Sequence, residues 1–302
     1  MDEVRLGTRG SQLALAQSSW VREQLSRIHP GVRFTLKVIR TTGDKVSEWQ
    51  SSRHVGAFVK EIEEALLAEE IEIGVHSLKD VPSRLPEGLC IGAVPPRATP
   101  GDALISRDRK KLAELPKGAR IGTASVRRKA QLLHHRPDLS LEDLRGNLDT
   151  RLRKLGEGMY DAIVVAAAGV RRLGRESEIT EAIPVDVVLP AAGQGALALE
   201  IREADSASAC ISNSLNDPTS AGCVAAERAV SRELDAGCRT PLGVLCVYED
   251  RFSMRARLCT PDGSTCVEAS AEGTTPEAAA AALLARLRSA GAERILEEVR
   301  RP

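Results

Sequence analysis

The sequence predicts an α/β protein built from two α/β units and a small C-terminal α+β domain. Three observations support this reading. Residues 4–94 alternate short apolar runs with helical stretches, a βαβαβ rhythm that gives a mostly parallel sheet. The rhythm restarts near Arg120, after a crossover from Pro95-Pro96 to Pro100-Gly101. From about Pro218 it gives way to a helix, a run of strands and an Ala-rich helix. At 302 residues the chain is long enough for two or three domains with cores of their own.

In chain order, residues 4–7 read as a strand, and Ser11 as the N-cap of a helix reaching about Ile28. Leu13, Ala16, Trp20, Val21, Leu25 and Ile28 share one broad face of that helix and are its expected buried side. Residues 32–39 alternate as a strand, Phe58, Ile62, Ala65 and Leu66 mark a helix, and strands follow near 71–75 and 89–94. The polar stretch Thr41 to Val55 has weak periodicity and reads as a loop over a cleft. In the second unit Arg120-Ile121-Gly122-Thr123 is strand-like and leads into a helix from about Ser125. Leu144-Arg145-Gly146-Asn147 is another strand-to-helix turn, and Asp161 to Ala166 is a buried strand. Pro184 to Pro190 begins a return, and Ala196 to Ile201 reads as a strand rejoining the first unit. The expected domains are therefore 1–95 with a return segment 196–214, then 100–190, then 218–302.

Composition narrows the function. A formal net charge of zero gives no general case for nucleic acid or membrane binding. The start of the chain has no apolar signal region and no run approaches a membrane span, so a cytoplasmic protein is expected. Seven Cys, an odd number with no C-x-x-C pair, argue against structural zinc and against a disulfide framework. Of the 42 basic residues, 9 are Lys and 33 are Arg. Genome composition could produce that bias. So could a ligand rich in carboxylates, which Arg binds bidentately.

Placement favours the ligand. Ile71-Glu72-Ile73-Gly74-Val75 opens as a buried strand and ends in His76-Ser77-Leu78-Lys79-Asp80, and in open α/β sheets ligands bind at the carboxyl ends of strands. Thr8-Arg9-Gly10-Ser11, Thr123-Ala124-Ser125-Val126-Arg127-Arg128 and Leu144-Arg145-Gly146-Asn147, with Arg151 beyond, repeat one design. Each sets arginines and hydroxyls or amides at a helix start, where free backbone N–H groups favour anions. An isolated Arg of this kind is usually solvated surface; three repeats point to carboxylates. Asp80 would then be an acid in a basic site, stabilising a cation or moving a proton, or else a salt-bridge partner of a neighbouring Arg. Cys238, in the turn Gly237-Cys238-Arg239-Thr240-Pro241, reads as an inert small residue, a nucleophile lacking a sequence-local base, or the anchor of a covalent group.

These residues together resemble the hydroxymethylbilane synthase (porphobilinogen deaminase) family, over essentially the whole chain. The matching motifs include Thr8-Arg9-Gly10-Ser11-Gln12-Leu13-Ala14-Leu15, Phe58-Val59-Lys60-Glu61 and Val75-His76-Ser77-Leu78-Lys79-Asp80-Val81-Pro82. They continue with Ile121-Gly122-Thr123-Ala124-Ser125-Val126-Arg127-Arg128, Leu144-Arg145-Gly146-Asn147, Gly193-Gln194-Gly195-Ala196, Ala226-Glu227-Arg228 and Gly237-Cys238. The resemblance implies two periplasmic-binding-protein-like (type II) lobes plus the small C-terminal domain. It also implies a dipyrromethane cofactor in thioether linkage to Cys238, with Asp80 as the catalytic carboxylate. Ser77 and Lys79 would contact the cofactor. Arg9, Ser11, Arg127, Arg128, Arg145 and Arg151 match groups that bind acetate and propionate arms of cofactor or growing chain. Thr123, Ser125 and Asn147 lie in the same turns, and Arg172 matches a further substrate arginine.

The implied reaction condenses four porphobilinogen units into a linear tetrapyrrole with loss of ammonia and without a metal. The implied protein is a monomer whose partners are porphobilinogen and the growing polypyrrole chain. One departure stands out: in Arg53-His54-Val55-Gly56-Ala57-Phe58, Val55 occupies a position where a Lys is expected. Two rival readings remain, a solute-binding protein for a small anion and a thiol enzyme turning over on Cys238.

Overall fold

The computed structural model describes residues 1–40, 59–237 and 239–300. The expectations for the 41–57 loop with Val55, for Phe58 and for Cys238 lie outside the described residues. The chain forms two compact units: Met1–Ala98 with Gly195–Ala221, and Thr99–Gln194 with Gly222–Pro302.

The first unit holds β1 (Glu3–Thr8), α1 (Gln12–Ile28), β2 (Arg33–Val38), α2 (Lys60–Leu67), β3 (Ile73–Ser77) and β4 (Leu89–Ala93). The returning strand β10 (Leu197–Arg202) and α6 (Ser206–Asn213) complete it. Its sheet has the order β2-β1-β3-β10-β4. β1 runs parallel to β2 and β3, while β10 pairs antiparallel with both β3 and β4. The mostly parallel sheet is thus split by one reversed strand, the segment that the sequence shows returning. Val4, Leu6, Val21, Leu25, Ile73, Val75, Leu199 and Ile201 form its core.

The helical face expected of α1 is rotated. Gln17, Ser18, Val21 and Leu25 are buried, whereas Trp20 is 39% and Ile28 47% exposed. Hydrogen bonding explains the inward polar pair. Gln17 Nε2 donates to Ser77 Oγ at 3.0 Å, and Ser18 Oγ donates to Thr8 Oγ1 at 2.7 Å. Buried polar atoms with partners are tolerated where unpaired ones are costly.

The second unit repeats the pattern. Its elements are β5 (Asp102–Ser106), β6 (Arg120–Gly122), α3 (Val126–His135), β7 (Ser140–Glu142), α4 (Leu148–Gly156), β8 (Ala162–Ala166), α5 (Ala167–Arg172) and the short β9 (Glu181–Ala182). The sheet order is β7-β6-β8-β5-β9, again with the fourth strand antiparallel to the third. β5 follows directly on the expected crossover, in a stretch to which the sequence reading assigns no element. Its run Asp102-Ala103-Leu104-Ile105-Ser106 is wholly buried, a continuous pattern that periodicity alone does not separate from a helix fragment.

The same unit includes the α+β part: α7 (Pro218–Glu233) from Gly222 onward, the meander β11 (Leu242–Tyr248), β12 (Phe252–Cys259) and β13 (Cys266–Gly273), then α8 (Pro276–Ser289) and α9 (Ala292–Arg300). It has its own core, including Val230, Leu234, Val244, Met254, Leu258, Leu283 and Leu287. The cysteine pattern argues against a disulfide framework, yet Cys259 and Cys266 are disulfide-bonded. The register places them directly opposite each other at the end of the β12–β13 hairpin, a relation that spacing alone does not reveal. Cys90, Cys210, Cys223 and Cys246 are outside any disulfide.

Candidate functional site: an exposed aspartate and an arginine-bearing sheet edge

In the first unit the candidate residues gather where β1 and β3 end. Ser11 caps α1, its hydroxyl accepting from Ala14 N at 3.3 Å. Thr8 is fully buried, with its hydroxyl on Ala14 O and Ser18. Arg9 and Ser11 are half-buried at the same edge. β3 ends at Ser77, which Gln17 holds, and the chain turns through one short 3-10 helix, Leu78–Asp80. Leu78 anchors that turn: its side chain is buried and its N–H donates to Ala196 O at 3.0 Å. Lys79 and Asp80 are consequently displayed on the surface. Asp80 makes no ion pair among the described residues, so the salt-bridge reading of this aspartate finds no support there.

In the second unit three parallel strands end in three helix starts. After β6, Thr123 is buried and Ser125 caps α3, accepting from Arg128 N at 3.5 Å. After β7, Arg145 reaches Asp143 at 3.4 Å, and Asn147 caps α4 by accepting from Thr150 N at 2.9 Å. Gly146 between them has φ +111°, and a Cβ there would lie 2.7 Å from Thr150 Cγ2, so this turn demands glycine. Arg151, one turn into α4, donates from Nε to Gly146 O at 2.8 Å. After β8, Arg172 ends α5 half-buried, and burial pulls its pKa down.

Arg127 and Arg128 are nearly fully buried, a finding that helix-start position does not anticipate. Both pair with Asp102, the first residue of β5: Arg127 Nη1 lies 2.9 Å from Oδ2, and Arg128 Nη2 2.7 Å from Oδ1. Gln194 Nε2 donates to the same Oδ1 at 2.9 Å and to Pro100 O at 2.6 Å. Arg127 also donates to Leu189 O, and Arg128 to Val164 O. Burial pushes the Asp102 carboxyl upward, but attraction to Arg127 and Arg128 outweighs it and holds the group far below the carboxylate range. Arginine keeps its proton at any working pH. Two guanidinium charges against one carboxylate leave the buried cluster net positive. Asp102 faces Ala166, the last residue of β8, so the cluster lies at the carboxyl edge of its sheet.

Sequence reasoning missed Asp102 and the polar work of Gln194 and Gln17. A signal for the first existed, a carboxylate directly before an apolar run after Pro100-Gly101.

The description "Porphobilinogen deaminase, dipyromethane cofactor binding domain" matches residues 4–209, and "Porphobilinogen deaminase, C-terminal domain" matches residues 221–289. Curated relatives named porphobilinogen deaminase include those of Thermus thermophilus (48% identical, covering 99% of this chain and 100% of the relative) and Desulforudis audaxviator (47%; 99% and 98%). Among solved structures, a probable amino-acid ABC transporter extracellular-binding protein from Bacillus subtilis aligns with a TM-score of 0.43 at 12% identity, covering 70% of this chain and 90% of that one.

Proposed function

The chain belongs to the porphobilinogen deaminase family, and we propose that its working residues are Asp80 on the first sheet and the arginine-bearing turns of the second. It is a transferase that deaminates porphobilinogen and joins the units head to tail into linear hydroxymethylbilane, in tetrapyrrole biosynthesis. The residue assignment rests chiefly on one observation: Thr123, Ser125, Arg127, Arg128, Arg145 and Asn147 share the carboxyl edge of one sheet, around a buried net positive charge.

The family's dipyrromethane cofactor fits these residues, because its acetate and propionate arms are the anions that helix starts and guanidinium groups hold. When bound, it supplies the free pyrrole carbon from which the chain grows. Ser125 and Asn147 present capped helix N-termini, whose remaining backbone N–H groups point outward. Arg127 and Arg128 place positive charge behind them, and Arg145 and Arg151 extend it along α4. Arg9, Ser11 and Arg172 are proposed for carboxylates of substrate, and Ser77 and Lys79 for contacts to the cofactor. Asp80 provides the negative charge that offsets positive charge developing on pyrrole nitrogen as the new bond forms, and it assists proton transfer. Its exposure and lack of an ion pair among the described residues leave its carboxylate available for both. Cys238 is the proposed thioether anchor, carried by a C-terminal domain of residues 218–302. We also propose a cytoplasmic monomer without nucleic acid or membrane partners. Among the described residues, no helix is long and apolar enough to cross a membrane.

The mass of the purified protein tests this reading. It should exceed the sequence mass by one dipyrromethane, mapping to the Cys238 peptide and persisting through many turnovers. Fully active protein with an unmodified Cys238 would reject the anchor and favour the thiol-enzyme reading. Reversible porphobilinogen binding without ammonia release would favour the solute-binding reading.

A further inference from the structure

Arg127 and Arg128 do not stand alone, and the groups that hold them have no part in the reading above. Asp102 is 1% exposed and Gln194 also 1%. Asp102 Oδ1 accepts from Arg128 Nε at 3.1 Å and Nη2 at 2.7 Å, while Oδ2 faces Arg127. Gln194 bridges both sides. Its Nε2 donates to Asp102 and Pro100 O, and its Oε1 lies 3.5 Å from Nη2 of each arginine. Gly193 and Gly195, on either side, both take positive φ (70° and 89°). Glu227 Oε2 accepts from Gly193 N at 2.7 Å, and Glu227 Oε1 accepts from Cys246 N at 2.8 Å. The backbone immediately before Gln194 is thus held by a buried carboxylate of α7.

We propose that Asp102 and Gln194 are positioning residues that convert Arg127 and Arg128 into a seat for a single carboxylate arm. Asp102 cancels one of the two buried positive charges, and Gln194 sets the direction in which the guanidinium groups face. A doubly charged seat would hold a pyrrole carboxylate too tightly for a chain that has to advance as each unit is added. A seat with no net charge would not hold it. The proposal rests on the assignment of Arg127 and Arg128 to carboxylate binding.

The test uses holoenzyme variants with porphobilinogen as the probe, comparing KM, kcat and the mass distribution of enzyme-bound chains. Asp102→Asn leaves the seat with one more positive charge at nearly constant shape. KM should fall and kcat should fall by on the order of tenfold, the scale of one added charge at short range, with partly built chains accumulating on the enzyme. Asp102→Glu keeps the charge and should return KM toward the wild-type value. Gln194→Met keeps the charge but removes the orientation, so KM should rise. A merely structural role would lower the active fraction and leave KM unchanged in every variant, which would overturn the proposal. If Asp102→Asn does not fold, Gln194→Met still decides: an unaltered KM rejects the role. Arg127→Leu separates this from the underlying reading. Normal cofactor assembly in Arg127→Leu would remove the carboxylate-binding assignment itself. Arrested assembly there, with unmoved KM in the Asp102 and Gln194 variants, would remove only the present proposal.

Discussion

The two five-stranded sheets share one strand order but bury different sets of ionisable groups. Among the described residues of the first unit the buried ionisable groups are Glu63 on α2, His76 on β3 and Glu200 on β10, two carboxylates and one imidazole. In the second, those at the sheet edge are Asp102, Arg127 and Arg128, two guanidinium groups and one carboxylate, while Glu227 and Arg257 are buried in the α+β part of the same unit. The means of support differ as well. The arginines are laced to Asp102, Gln194 and backbone carbonyls. In the first unit His76 Nε2 lies 2.9 Å from Glu200 Oε2, its ring filling space over Gly74, where a Cβ would come within 2.8 Å of Nε2. Neither this atom nor the Glu200 oxygens has a well-aligned hydrogen bond among the described residues. The comparison teaches that the scaffold does not set the chemistry. One sheet keeps its ionisable groups inside and displays an acid, Asp80, at its edge. The other brings buried positive charge up to its edge, where an anion can use it.

If this division of labour holds, variants on the two sheets fail differently. The largest effect belongs to Asp80→Ala. Removing a group that meets charge developing in the transition state commonly costs ~10²–10³ in rate. Because Asp80 is exposed, stability should stay within about 0.5 kcal/mol of the parent. Ammonia release and a thermal melt measure both, and near-normal turnover would remove Asp80 from the mechanism.

Arg128→Leu should fail in both respects. It strands Asp102 against burial with one partner fewer, and breaking a buried ion pair costs about 3–5 kcal/mol. The melting temperature should therefore drop well before activity is assayed, and the surviving folded protein should be poor at acquiring its cofactor mass. A variant that melts like the parent would show that the pair is not buried as described.

The sequence made the strand ends, helix caps and arginine turns legible, because each depends on local chemistry: Ser11, Ser125 and Asn147 cap the helices their positions announce. The C-terminal meander was legible too. What stayed hidden depends on contacts across the chain. The partnership of Asp102 with Arg127 spans two elements, and Gln17 turns inward on α1 because Ser77 waits there. β5 was missed because a fully buried strand shows no alternation. The facing of Cys259 and Cys266 became visible only with the hairpin register.

A pH experiment sharpens the contrast in sign. The folded pKa of Asp102 is depressed, so its contribution is fully present above the unfolded value of about 3.9 and is lost only as pH falls far below it. Glu63 is the opposite case. Burial first, then repulsion from Glu200, raises its pKa against the attraction of His76. Its contribution is fully present below the unfolded value of about 4.3 and is lost as pH rises through the raised folded value. Amide exchange in α2 and β3, corrected for its intrinsic pH dependence, should therefore quicken as pH rises above the unfolded carboxyl value, while that in β5 should not. Glu63→Gln should flatten the first profile; an unchanged slope would mean that Glu63 is not the group responsible.

The smallest expected effect separates capping from ligand binding at the second sheet's edge. Asn147 Oδ1 accepts from Thr150 N, so Asn147→Ala should cost about 1 kcal/mol through loss of the cap. In a unit of this size that is a shift of roughly 2–4 °C. Aspartate is as good an N-cap as asparagine, so Asn147→Asp should keep the melting temperature. It nevertheless sets a negative charge where the second sheet is proposed to receive carboxylates, so KM for porphobilinogen should rise. Ser11→Asp makes the matching change at the first α1 turn, whose hydroxyl caps through Ala14 N. If carboxylates are held mainly by the second sheet, the KM increase should be larger for Asn147→Asp than for Ser11→Asp at equal stability. Equal increases would place the anion-binding burden on both sheets alike and dissolve the contrast between them.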